Sequence, residues 1–107
     1  TPLMERVQQS LAPQLPLEID EETRLDEVDV LQGESTLRYR HTLTEVDASA
    51  LDVNRLKGEL QKVVTMRSCL DPLLRPILDN GGQLRFVYRD RRQQPFLQID
   101  VAEDACG

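Results

Sequence analysis

Residues 36–44 alternate: Leu37, Tyr39, His41 and Leu43 fall on one side, and Arg38, Arg40 and Thr42 on the other. The same period of two returns over 83–89, where Leu84, Phe86 and Tyr88 oppose Arg85, Val87 and Arg89. It returns again over 94–102, where Leu97, Ile99 and Val101 oppose Gln98 and Asp100. A shorter case lies in 24–31, with Val28 and Val30 set against Glu27 and Asp29. Such alternation marks strands that bury one face. Between the two strand pairs the period changes. Leu51, Val53, Leu56, Leu60, Val63 and Val64 share one helical stripe, with Asp52, Arg55, Glu59 and Lys62 outside it. Two strand pairs separated by an amphipathic helix leave few ways to close a core.

Turn and capping residues set the remaining boundaries. Gly33-Glu34-Ser35 joins the first two strands and Asp90-Arg91-Arg92-Gln93 the last two. Asp47 to Ser49 offer capping side chains for a helix over 50–69. Asp71-Pro72 then reads as an N-cap followed by proline at the first helical position, with Leu73, Leu74, Ile77 and Leu78 on the apolar side and Asn80-Gly81 as the stop. Pro76 keeps this element short and partly 3₁₀. At the start, Leu3, Met4, Val7 and Leu11 recur at helical spacing between Pro2 and Pro13. Residues 13–24 read as extended or irregular, with Leu17 and Ile19 dipping into the core. The expected fold is α+β, an antiparallel four-stranded sheet packed against helices, in the order α-β-β-α-α-β-β. The 107 residues suit one domain, with 1–23 as an N-terminal helix and acidic extended segment and 24–107 as the α+β core.

Charge narrows the function. The chain carries 13 basic and 19 acidic side chains, a formal net charge of −6. Residues 1–53 hold twelve acids against four bases, while residues 54–107 hold seven against nine. An acidic chain without exposed aromatics at its basic positions is a poor ligand for nucleic acid. No apolar run approaches the roughly 20 residues of a membrane span. The acidic run from Glu18 to Asp29 reads either as a surface for a cationic partner or as a solvated loop leading into an edge strand. It contains no calcium-loop pattern.

The two cysteines, Cys69 and Cys106, form no C-x-x-C pair, and one histidine is too few for a zinc site with them. A disulfide, two buried thiols and one reactive thiol remain open. Cys106 sits in the small polar tail 103–107, which frays unless something ties it down. A bond to Cys69 would do so, closing a loop of about 37 residues worth roughly 3–4 kcal/mol in the chain-entropy model. We adopt that reading, which places the protein in the periplasm or outside the cell. The start Thr1-Pro2-Leu3 fits a mature chain after signal-peptide removal; a trimmed fragment would start the same way.

Catalytic chemistry finds little support. His41 is the only histidine and sits on a predicted apolar face, where a satisfied core histidine is the simpler account. Ser10, Ser35, Ser49 and Ser68 occupy no G-x-S-x-G elbow. Gly81-Gly82 reads as a cap and turn rather than a phosphate loop. No catalytic residues, metal ligands or cofactor are assigned. The more specific constellation is arginine, eleven of the thirteen bases. Arg38 and Arg40 share one strand face and Arg85 and Arg89 another, so neighbouring strands would gather them into a candidate binding face, extended by Arg91 and Arg92. Glu27, Asp29 and Asp100 would lie on the same face, so cross-strand ion pairs explain the pattern without a ligand and are the stronger reading of it.

One series of motifs resembles a known group. Cys69-Leu70-Asp71-Pro72, the run Leu74 to Gly81, Leu84 to Asp90, and Ile99-Asp100-Val101 before Cys106 stand in order. They resemble a C-x-x-P…L-x-x-G…Y-x-Y-x-D…C layout of small exported proteobacterial proteins of unknown function, with Phe86 at the first aromatic position and Tyr88 at the second. Among these, the chain is similar to the pseudomonad family named as candidate quorum-sensing-regulated virulence factors. The likeness spans roughly residues 24–106 and implies export and paired cysteines; it brings no catalytic residues. The expected function is a secreted or periplasmic interaction module for an unidentified protein partner. A small hydrolase or periplasmic enzyme inhibitor is the alternative.

Overall fold

In the computed structural model, which describes residues 2–107 and leaves Thr1 outside, five strands form one sheet in the order β1-β2-β3-β4-β5. They are β1 (Leu17–Glu18), β2 (Thr23–Leu31), β3 (Thr36–Leu43), β4 (Gln83–Arg89) and β5 (Pro95–Val101). Two features differ from the expected four-stranded antiparallel sheet. The irregular segment before β2 contributes the two-residue edge strand β1, antiparallel to β2. The central pair β3 and β4 runs parallel, while every other pair is antiparallel. Parallel neighbours cannot be joined by a tight turn, so the chain crosses the sheet between them. That crossing is made by helices α2 (Val53–Leu70) and α3 (Arg75–Asp79).

The strand faces follow the alternation. Leu37, Tyr39 and His41 of β3, Leu84, Phe86 and Tyr88 of β4, and Leu97, Ile99 and Val101 of β5 are all buried. β2 contains an irregularity that period-two reading misses. Leu25 pairs with His41 but Glu27 pairs with Arg40, so Asp26 is an extra residue in the strand. This bulge lets Leu25 and Val28, three residues apart, share the core face. It also re-aims Asp26, which accepts hydrogen bonds from Thr42 Oγ1 at 2.5 Å and Arg89 Nη2 at 2.9 Å.

Helix α1 (Pro2–Leu11) packs on β2, β3 and α3, and α2 packs on β5 and α3. Met4 and Val7 of α1 and Ile77 and Leu78 of α3 enter the core. Asp52 caps α2, accepting the Arg55 N–H, while Asp47 caps a preceding 3₁₀ turn over Ala48–Ala50. The helix therefore begins three residues later than its apolar pattern suggests. Asp71 Oδ1 accepts the Leu73 and Leu74 N–H groups, so the turn after α2 is built by that side chain, and α3 starts only at Arg75. Ile19, expected to dip inward, is 52 % exposed. Cys69 at the end of α2 is bonded to Cys106 in the C-terminal 3₁₀ turn Glu103–Cys106, with Cα atoms 5.5 Å apart.

The two adjacent glycines do different jobs. Gly81 adopts φ +84°, the left-handed conformation that ends a helix at little cost only without a Cβ. Gly82 has ordinary backbone but no room: a Cβ there would lie 2.5 Å from Met4 Cε, 2.8 Å from Ile77 Cγ2 and 3.0 Å from the Ile77 carbonyl oxygen. Met4 can swing away, but Ile77 belongs to the packed core. Gly82→Ala is therefore expected to lower the unfolding free energy by about 1–3 kcal/mol, measured by urea denaturation.

Candidate functional site

The alternation brings Arg38, Arg40, Arg85 and Arg89 to one face of the sheet, opposite the helices. There each guanidinium meets a carboxylate. In one row across four strands, Asp29 pairs with Arg38, Arg38 lies beside Arg85, and Arg85 pairs with Asp100. The ion pairs follow this register: Arg38–Asp29 at 3.1 Å, Arg85–Asp100 at 3.0 Å and Arg85–Glu34 at 3.3 Å. Arg40 bonds Glu27 and lies 3.1 Å from Asp29. Arg89 bonds Asp26, which Arg24 also contacts at 2.5 Å. Burial opposes ionisation of Asp26, but the hydrogen bonds from Thr42, Arg24 and Arg89 outweigh it and hold the carboxyl below its ordinary range. The flanking acids that placed two like-charged arginines side by side also neutralise them.

Arg91 and Arg92 lie apart from this row, 3.5 and 3.3 Å from Asp47. The turn that carries them is held by Asp90, buried at 3 % exposure. Its Oδ1 accepts the N–H groups of Arg92 and Gln94, and its Oδ2 that of Ala48. The aspartate that ends the aromatic motif of the sequence thus ties the β4–β5 turn to the segment leading into α2.

The opposite face holds the feature that sequence reasoning missed. Leu56, Leu60, Val63 and Val64 of α2, assigned to the core by their spacing, are only half-buried or exposed; Val63 is 37 % exposed. They form one wall of a cavity of about 440 Å³ between α2 and the sheet. Its floor is His41, Phe86 and Tyr88, and its far wall is the β1–β2 loop with Ile19, Asp20, Glu22 and Thr23. The apolar residues of α2 continue past the groove to Met66 and Leu70, beside the disulfide. Met66 and Leu70 are 56 % and 76 % exposed.

The floor is a stacked aromatic ladder. Tyr39 and Phe86 centroids lie 5.1 Å apart, and His41 and Tyr88 4.8 Å apart with rings 12° from coplanar. His41 is 5 % exposed, and its Nδ1 has no hydrogen-bond partner among the described residues. Burial pushes its pKa down to about 4, against the opposing pull of a backbone hydrogen bond at Val87 and the Asp26 charge. Burial also raises the Tyr88 phenol, which Arg67 partly offsets. Ser68 lines the same cavity, but its hydroxyl donates to the Val64 carbonyl at 2.7 Å, and both cysteines are consumed in the disulfide. His41 therefore faces no activated nucleophile from these groups. Among the described residues no cluster of three or more His, Cys, Asp and Glu could hold a metal ion, and no helix is long and apolar enough to cross a membrane.

No protein-family model matches the chain, and no curated protein matches it at a significant level. Solved structures do resemble it. The pilotin EpsS of the Vibrio vulnificus type 2 secretion system superimposes with a TM-score of 0.78 at 19 % identity, covering 98 % of this chain and 89 % of that one. A Pseudomonas aeruginosa protein described as secreted gives 0.81 at 14 % identity, covering 99 % and 91 %. The Vibrio cholerae type II secretion pilotin AspS gives 0.71 at 22 % identity, covering 97 % and 89 %. At these identities the likeness shows a shared fold.

The neutral, buried His41 makes stability depend on pH in a defined window. The unfolded imidazole titrates near its ordinary 6.5 and the folded one near 4, so between these values only the unfolded chain binds the proton. Stability from this group is complete above pH 6.5 and falls progressively toward pH 4, by up to about 3 kcal/mol. Urea unfolding from pH 7 to 4 is expected to show that slope, and His41→Phe is expected to remove most of it.

Proposed function

We propose that this is an exported protein-interaction module that holds an amphipathic helix of a partner protein in the groove between α2 and the sheet. The observation that carries the reading is the half-exposed apolar stripe of α2 facing an aromatic floor across an open cavity. Disulfide-bonded Cys69 and Cys106 support export, since such bonds persist in oxidising compartments. The pilotin folds support a partner-binding role, and a pilotin-like part in secretion is the particular form of the proposal.

The floor argues for a helical occupant. β3 is flanked by β2 and β4, and β4 by β3 and β5, so both strands have their ladder positions filled. The unpaired edges are those of β1 and β5, so a segment lying across β3 and β4 finds no ladder to join on the floor, which favours one that satisfies its own backbone hydrogen bonds. From Leu56 to Arg67 the α2 wall is roughly 16 Å long, room for about three helical turns. Anchors at i, i+3 or i+4, and i+7 would fill it.

The arginine face is the other surface the sequence offered for a partner. Each of its four arginines already pairs with a carboxylate of the same sheet, which favours the groove, although the buried Nε of Arg38, Arg40 and Arg89 has no hydrogen-bond partner among the described residues. A hydrolase or inhibitor has no comparable support. The finer label of a quorum-sensing-regulated virulence factor rests on the motif series alone.

Photo-crosslinking separates the two surfaces. A benzoylphenylalanine at position 63, in the exporting cell, is expected to give a discrete adduct that mass spectrometry maps to an apolar helical segment of one partner. The same group at position 40 is expected to give none. An adduct from position 40 alone would move the binding site to the arginine face.

A further inference from the structure

The groove has a polarity of its own, and this inference rests on the groove being a binding site. Its far wall is the β1–β2 loop at the β1 edge of the sheet, while α2 lies along β5. Glu18 at the end of β1 and Asp20, Glu21 and Glu22 of that loop are all exposed, and none has an ion-pair partner among the described residues, although Asp20 Oδ1 accepts the Glu22 N–H at 2.8 Å. Asp20 and Glu22 line the groove itself. The carboxylates of the sheet face differ: Asp26, Glu27, Asp29 and Asp100 are each matched by arginine. So the excess negative charge of the first half of the chain is not spread evenly. Much of it stands unneutralised on one lip of an apolar groove.

The α2 side of the groove carries one cation, Arg67, with Asp71 lining the groove one turn beyond it. Arg67 has no ion-pair partner among the described residues. Asp71 is already engaged by the N–H groups of Leu73 and Leu74. An apolar helix alone would cover Asp20, Glu22 and Arg67 at a desolvation cost with nothing in return.

We propose that the groove selects and orients an amphipathic helix by charge: lysine or arginine on the flank facing the β1–β2 loop, and an acidic residue on the flank facing Arg67. The apolar anchors supply affinity, and the two flanks fix which way the helix lies.

A displayed library of helical 18-residue peptides tests this, with leucines fixed at one face and flanking positions drawn from Lys, Glu, Gln and Ser. Selection is made on the wild-type protein, with counter-selection on Val63→Asp, a 37 % exposed groove position, once its circular dichroism matches that of wild type. Recovered binders are expected to carry Lys on one flank and Glu on the other. Their affinity is expected to fall about tenfold on Asp20→Asn/Glu22→Gln, a pair that keeps the loop's hydrogen-bonding capacity, and to weaken with salt. Binders that need Val63 but show no charge preference, or bind the neutralised variant equally, would overturn the charge rule and leave the groove standing. Failure to recover any peptide that distinguishes wild type from Val63→Asp would overturn both.

Discussion

The parallel pairing of β3 and β4 is the constraint on which the rest of the molecule depends. Because these strands run the same way, the chain between them must cross the sheet, and α2 and α3 are that crossing. The pairing puts Tyr39 beside Phe86 and His41 beside Tyr88, which builds the aromatic ladder. On the other face it sets Arg38 against Arg85, a like-charge contact offset by Asp29 and Asp100, which flank it in register, and by Glu34, which also pairs with Arg85. Groove floor and ion-pair row are two sides of one strand pairing.

The position of α2 follows from what holds it. It packs on β5, with Gln61 donating to the Asp100 carbonyl, and its end is bonded through Cys69 to the C-terminal turn. These ties draw the helix toward the β5 edge, while α1 covers β2 and β3 from the other side. The sheet between them is left open at its His41–Tyr88 end. The disulfide thus stabilises more than a frayed tail: it anchors a helix whose apolar stripe the protein itself does not finish covering.

Much of this was readable from residue order. The alternation over 36–44, 83–89 and 94–102 located three strands and their buried faces, and the tail cysteine pointed to its partner. Strand direction was not readable, because period-two patterning is the same for parallel and antiparallel neighbours. The Asp26 bulge was hidden because Leu25 is out of phase with Val28, and β1 because two residues between Pro16 and a charged loop carry almost no pattern. The groove was obscured for a deeper reason. A helical stripe states which side chains prefer to leave water, not whether the same chain supplies the surface that covers them. Leu56, Leu60 and Val63 look like core in sequence and form a wall in the structure. The arginines show the converse: residues that look like a ligand site are largely satisfied within the sheet.

The central claim is that the half-covered α2 stripe and the aromatic floor receive a partner helix. Methyl-detected NMR of the folded, disulfide-bonded protein, titrated with a groove-selected peptide, tests it most directly. The account predicts intermolecular contacts to Leu43, Leu56, Leu60, Val63 and Val64, with the methyl groups of Leu25 and Ile99 unaffected. Contacts that map instead to Val87, on the arginine face, would contradict it.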